Sequence, residues 1–212
     1  MGRRFVAERR RDPFYRAAQA SGLRSRAAFK LDYLDERFHL LRPGLRVLDL
    51  GAAPGGWSVV ASQRVGPWGS VVAVDPRPID PIPGVTVVRG RVGDPALLGL
   101  LGTGPFDLVL SDLSPRISGA YATDHARSVA LVHAALDLVG GVLRAGGAFA
   151  AKVFDGDLVP ELEERMRGAF ARVRRTKPPA SRDASSELYL VGLGFHPRAD
   201  RAEPGTRPAP DI

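Results

Sequence analysis

Hydrophobic positions change their period along the chain. From Ser25, apolar residues recur at helical spacing through Phe29, Leu31, Leu34 and Phe38, predicting a helix that ends near Pro43-Gly44. The texture then turns to short apolar runs. Arg46 to Leu50 and Ser70 to Asp75 read as strands buried on both faces, the kind found in parallel sheets. Val85 to Arg89 and Phe106 to Ser111 read as the third and fourth strands, and Ala148 to Val153 as the fifth. Ala171 to Thr176 and Glu187 to Leu193 complete the set. Helical patterns lie between them: Trp57 to Val65, Pro95 to Leu101, Thr123 to Leu143 and Leu158 to Phe170. Strands alternating with helices predict an α/β fold, a mostly parallel sheet with helices on both faces. Such sheets bind ligands beyond the carboxyl ends of their strands, where the strand order reverses.

The 212 residues suit one domain with tails. Residues 1–24 form a basic extension, residues 25–196 the folded domain, and residues 197–212 a Pro- and Arg-rich tail expected to be disordered. The extension lacks the apolar core of a secretory signal. No apolar run approaches the ~20 residues that span a bilayer. A cytoplasmic monomer is expected. Cys is absent, which removes disulfides, thiolate metal sites and cysteine nucleophiles.

Charge narrows the partners. Lys plus Arg is 30 against 23 Asp plus Glu, a net +7 that favours a polyanion such as nucleic acid. Phe14 and Tyr15 stand among the N-terminal arginines, a mixture that suits nucleic-acid contact. Only Lys30, Lys152 and Lys177 are lysines; the remaining basic residues are arginine. Arginine is a poor general base because it stays protonated. A lysine kept in such a background is a candidate for chemistry that needs a removable proton.

Three constellations carry that chemistry. Gly51-Ala52-Ala53-Pro54-Gly55-Gly56 follows the first strand and opens a helix, so backbone amides and the helix dipole face a ligand. Ala53 stands where the dinucleotide fingerprint needs glycine, which disfavours a nicotinamide cofactor. Asp75 ends the second strand, where a carboxylate can hold the hydroxyls of a nucleoside ribose; a turn-capping role is the plain alternative. Asp112 follows the fourth strand and Lys152 lies in the fifth, and a charge in a buried strand is costly unless paired. These two are expected to pair across the rim, as a structural ion pair or as part of an active site. Glu187 starts the last strand and is a candidate for the same rim, whereas nothing in the spacing places Lys30 there.

Taken in order, several segments resemble the FtsJ-like ribosomal RNA 2′-O-methyltransferases. They are Ser25 to Leu31, Asp49 to Ser58, Ser111 to Pro115 with Ser118-Gly119, and Ala151 to Phe154. Arg175 to Pro178, Ala180 to Arg182 and Ser186 to Tyr189 continue the series, which runs from about Phe14 to Gly194. The resemblance implies a Rossmann-like class I fold and S-adenosyl-L-methionine as methyl donor. It implies a Lys30-Asp112-Lys152-Glu187 catalytic tetrad with Lys152 as general base. It also implies cofactor contacts at Gly55, Trp57, Asp75 and Asp112; separately, the four His are too scattered to suggest a metal cluster, so no metal is expected. The bacterial large-subunit branch implies ribosomal RNA as partner, a uridine 2′-hydroxyl of 23S rRNA within the large subunit. Transfer RNA or another RNA, and a non-catalytic RNA binder, are the rival readings. The chain departs from the family at Arg91, where relatives carry an acidic residue for the adenine amino group. Arg cannot accept a hydrogen bond, so a backbone carbonyl or Asp94 must substitute, or cofactor binding weakens. RNA is expected across the rim, on Arg24, Arg26, Arg116 and Arg182, with Phe154 and Tyr189 as stacking candidates or, more simply, core residues.

Overall fold

The computed structural model describes residues 27–102, 104–179 and 186–197. The basic extension, Arg24, Arg26, Arg182 and residues 198–212 of the tail lie outside the described residues. In chain order the elements are α1 (Ala27–Phe38), β1 (Arg46–Leu50), α2 (Gly56–Val65), β2 (Ser70–Asp75), β3 (Val85–Arg89) and α3 (Leu97–Leu100). They continue with β4 (Phe106–Ser111), α4 (Tyr121–Val142), β5 (Leu143–Phe154), α5 (Val159–Arg167), β6 (Phe170–Thr176) and β7 (Glu187–Phe195).

Among the described residues seven strands join one sheet in the order β3-β2-β1-β4-β5-β7-β6. The first five are parallel, and β7 runs antiparallel between β5 and β6. The order reverses between β1 and β4, where a doubly wound sheet opens a crevice. Two apolar clusters cover the two faces. One joins α4 and α5 to the sheet through Val132, Val139, Phe149 and Leu162. The other joins α1 and α2 through Leu31, Leu34, Trp57 and Val60. Full burial of each such side chain contributes roughly 1.5–3 kcal/mol.

Most element boundaries fall within a few residues of their expected places. The largest departure is β5, which begins at Leu143 rather than Ala148. Gly146-Gly147 reads as a turn, but it forms an irregular stretch of strand where the β4–β5 register shifts between Phe106 and Leu108. The first helix ends at Phe38, short of Pro43, and α3 is a single turn. None of the described helices is long and apolar enough to cross a membrane.

Several buried polar side chains cluster at one end of this frame. Asp49, Asp75, Ser111 and Lys152 sit at or near the carboxyl ends of β1, β2, β4 and β5, all buried, and Lys30 is buried on α1. Burying such groups is costly without partners, so their partners locate the site.

Candidate active site

Residues distant in the chain meet at the carboxyl rim. The Lys152 ammonium lies 3.1 Å from Asp112 Oδ1 and donates to the Asp112 carbonyl at 3.1 Å. Lys30 Nζ donates to Glu187 Oε2 at 2.5 Å, linking α1 to the start of β7. The antiparallel direction of β7 brings this about. Its first residue, Glu187, pairs with Phe154 at the end of β5, and Tyr189 pairs with Lys152.

Tyr189 joins the two ion pairs. Its hydroxyl donates to Asp112 Oδ1 at 3.0 Å, and Lys30 Nζ lies 5.9 Å from its ring centroid. The ring packs 5.7 Å from Trp57 and is fully buried, so it is not presented for stacking on a nucleobase. Phe154 is likewise buried. Tyr189 as an Asp112 partner was not foreseen; the available signal was its two-residue spacing from Glu187, which puts both on one strand face.

His125 is a second unforeseen member. Its Nδ1 faces the Phe154 carbonyl at 3.0 Å and its Nε2 accepts from Leu158 N–H at 3.2 Å, the arrangement of a neutral ring protonated on Nδ1. A Cβ added to Gly156 would lie 2.7 Å from that ring. The histidine thus clamps the loop just beyond Lys152. Opposite, Asp124 accepts the Ser118 N–H at 2.8 Å, the Ser118 hydroxyl at 2.8 Å and the Gly119 N–H at 3.0 Å. The Ser118 bonds hold its carboxyl below the usual range.

A cavity of about 460 Å³ opens beside the Lys152–Asp112 pair, at the β1–β4 switch point. Gly51, Asp75, Arg77, Arg91, Asp112 and Lys152 are among the residues that line it. Gly51 adopts φ +77°, and a Cβ there would approach the Leu113 backbone to 3.0 Å, so only glycine keeps this wall open. Gly55 turns the loop with φ 104° and its N–H bonds the Ala52 carbonyl at 2.6 Å. Trp57 is buried and donates to the Ala27 carbonyl at 2.7 Å. It lines a smaller space of about 40 Å³ shared with Asp49, Ala53 and Asp112.

Asp49 stands out electrostatically. Its Oδ2 accepts from Ser58 at 2.6 Å, while its buried Oδ1 has no hydrogen-bond partner among the described residues. Burial, reinforced by the Asp112 and Asp75 charges, pushes its carboxyl up to about 7 against the opposing Ser58 bond. Asp75 is differently placed. Oδ1 accepts from Arg77 N at 2.8 Å and Arg77 Nε at 3.1 Å; Oδ2 accepts from Ala53 N at 3.0 Å and Arg77 Nη2 at 3.3 Å. Its four acceptor positions are filled, two of them by an exposed guanidinium. Arg91 and Arg116 line the cavity with no acidic partner among the described residues. Asp94 Oδ1 accepts from Ala96 N at 2.9 Å, and Asp94 is not among the residues lining this cavity.

The model of FtsJ-like methyltransferases matches residues 23–195. The chain belongs to the FtsJ-like methyltransferase family. It is similar to ribosomal RNA large subunit methyltransferase E of Granulibacter bethesdensis, 49% identical over 92% of this chain and 85% of the relative. A Plasmodium falciparum protein described as a ribosomal RNA methyltransferase superposes with a TM-score of 0.75 at 29% identity, covering 82% of this chain and all of the other. A Streptococcus mutans protein described as a methyltransferase, solved with S-adenosylhomocysteine, shares the fold. Its TM-score is 0.52 at 15% identity, covering 80% of this chain and 96% of that one. As a family member the chain is an S-adenosylmethionine-dependent methyltransferase. The switch-point cavity, the glycine-walled loop and the orphaned Asp49 oxygen fit that donor's nucleoside and ammonium ends.

Proposed function

We propose that this enzyme methylates a ribose 2′-hydroxyl of ribosomal RNA, a uridine of 23S rRNA in the large subunit. The observation that supports the reading is the Lys152–Asp112 pair on the wall of the switch-point cavity, linked through Tyr189 to the Lys30–Glu187 pair. In this reading Gly55, Trp57, Asp75 and Asp112 hold the cofactor, and Lys30, Asp112, Lys152 and Glu187 form the catalytic group. The relative from Granulibacter bethesdensis carries the same substrate class in its name.

Bound S-adenosylmethionine supplies an electrophilic methyl group. The rest falls to the chain. A ribose hydroxyl is almost wholly protonated at neutral pH, so a base must take its proton as the new bond forms. Lys152 is the group able to do so: it is buried, it lines the donor cavity, and Asp112 fixes its Nζ from two oxygens. In its neutral form Nζ accepts the hydroxyl proton, and Asp112 stabilises the ammonium that results. Lys30 and Glu187 steady the opposite side of the rim, and Tyr189 fixes Asp112. Holding the oxygen in line with the methyl carbon is the second contribution, because alignment removes much of the entropic barrier.

The test is radiolabelled methyl transfer to large-subunit RNA with Lys152→Ala and Lys152→Arg. General-base catalysis is worth ~10²–10⁴-fold, so both variants are expected to lose at least a hundredfold in turnover while still binding cofactor. Near wild-type turnover in Lys152→Arg would refute the assignment of the base. Mapping 2′-O-methylation in rRNA from a deletion strain identifies the nucleotide.

A further inference from the structure

Strand β6 is the edge of the sheet, and its two faces treat their arginines differently. Thr176, whose Oγ1 lies 2.9 Å from the Tyr33 hydroxyl, marks the face turned to α1. By the two-residue period Arg172 and Arg174 share that face, and Arg175 lies on the other. Arg175 is neutralised: its Nε donates to Glu163 at 2.8 Å and its Nη1 lies 3.6 Å from Asp155. Arg172 and Arg174 have no acidic partner among the described residues. They line a cleft of about 530 Å³ with Arg37, Phe38, His39 and Leu193.

Arg37 and His39, the other basic members, also have no acidic partner among the described residues. His39 is the one described non-glycine residue with positive φ, 53°, held by its N–H bond to the Asp35 carbonyl at 2.7 Å. Such a conformation is uncommon outside glycine and is retained where surrounding contacts impose it. The cleft therefore has a rim of exposed arginines over a half-buried floor of Phe38 and Leu193. Cations for phosphates beside an aromatic surface for a base is the combination that holds single-stranded nucleic acid. Leu193 lies six residues along β7 from Glu187, about 20 Å at the usual strand rise. That is several nucleotides from the reacting ribose.

We propose that the cleft between the end of α1 and the β6 edge is a second anchoring surface for the RNA strand flanking the target nucleotide. Arg172 and Arg174 hold its phosphates. The proposal rests on RNA being the substrate. The cleft sits at the far end of α1 and β7 from the tetrad, so it contributes to affinity and register without touching the reacting atoms.

The test compares wild-type protein with Arg172→Ala/Arg174→Ala, using a fluorescent large-subunit RNA fragment titrated across a salt series. Each phosphate contact on a single strand contributes about 0.7 to the slope of log affinity against log salt. Losing two lowers the slope by about 1.4, so the wild-type advantage shrinks about sevenfold between 50 and 200 mM salt. KM for RNA should rise, with turnover at saturating RNA and S-adenosylhomocysteine affinity unchanged. An unaltered RNA affinity and slope overturns the cleft alone. The same result with new self-association in size-exclusion chromatography assigns the arginines instead to guarding an exposed sheet edge, and also overturns it. If wild-type protein binds no such RNA, the substrate reading falls and takes the cleft with it.

Discussion

Replacing Asp49 by Asn isolates the most perturbed carboxyl among the described residues. In the folded protein Asp49 keeps its proton up to a pH of about 7, against an ordinary value of 3.8. Between those values the folded state binds one more proton than the unfolded chain, so stability must fall as pH rises. Below the lower value both states are protonated, and above the upper value both are ionised, so the slope vanishes outside this window. The gap of about 3.2 pH units, at about 1.36 kcal/mol each, amounts to about 4 kcal/mol. Asn is nearly isosteric, accepts from Ser58 through its carbonyl and does not titrate. The difference in unfolding free energy between Asp49→Asn and wild type, from urea denaturation at each pH, should therefore grow in the variant's favour from pH 4 to pH 7.5. The growth should be several kcal/mol, on the order of the value just given. A difference that stays within about 1 kcal/mol across that range would mean that burial does not control this carboxyl.

Two further outcomes concern the neighbours of the reacting group. Tyr189→Phe removes the hydroxyl that holds Asp112 Oδ1 at 3.0 Å. A bond to a charged group is worth roughly 1.5 kcal/mol or more, so kcat in the methyl-transfer assay should fall about tenfold with KM for S-adenosylmethionine unchanged; an unchanged kcat removes Tyr189 from the positioning role. Arg77→Leu frees two acceptor positions on Asp75 that ribose hydroxyls would otherwise have to win from a guanidinium. An exposed ion pair is worth up to about 1 kcal/mol, so calorimetry should show S-adenosylhomocysteine binding up to about fivefold tighter. Weaker binding would mean that Arg77 contributes to holding the cofactor.

The fold was legible because β1, β2 and β4 are nearly continuous apolar runs between helical segments, a pattern with few architectures open to it. Gly146-Gly147 misled because paired glycines signal a turn in isolation, whereas here the strand continues through an irregularity in its pairing with β4. In the candidate site, Lys152 and Asp112 were readable as a pair, since neighbouring parallel strands share a rim. Lys30 was not placed by spacing, because nothing local says how a helix ahead of the sheet packs on it. Its contact is with a residue 157 positions away. Tyr189 was hidden for a different reason. An aromatic residue in a buried strand reads as packing, and only the three-dimensional register reveals which polar atom its hydroxyl meets. Arg77 was passed over as one arginine among many in a proline-rich turn.

The insertion of β7 between β5 and β6 makes the final strand a keystone. It completes the sheet from inside, and it delivers both the acid that meets Lys30 and the phenol that meets Asp112. A polypeptide still emerging during its own synthesis, or clipped ahead of residue 187, holds Lys30, Lys152 and Asp112 but lacks the Glu187 carboxylate that meets Lys30 and the Tyr189 hydroxyl that meets Asp112.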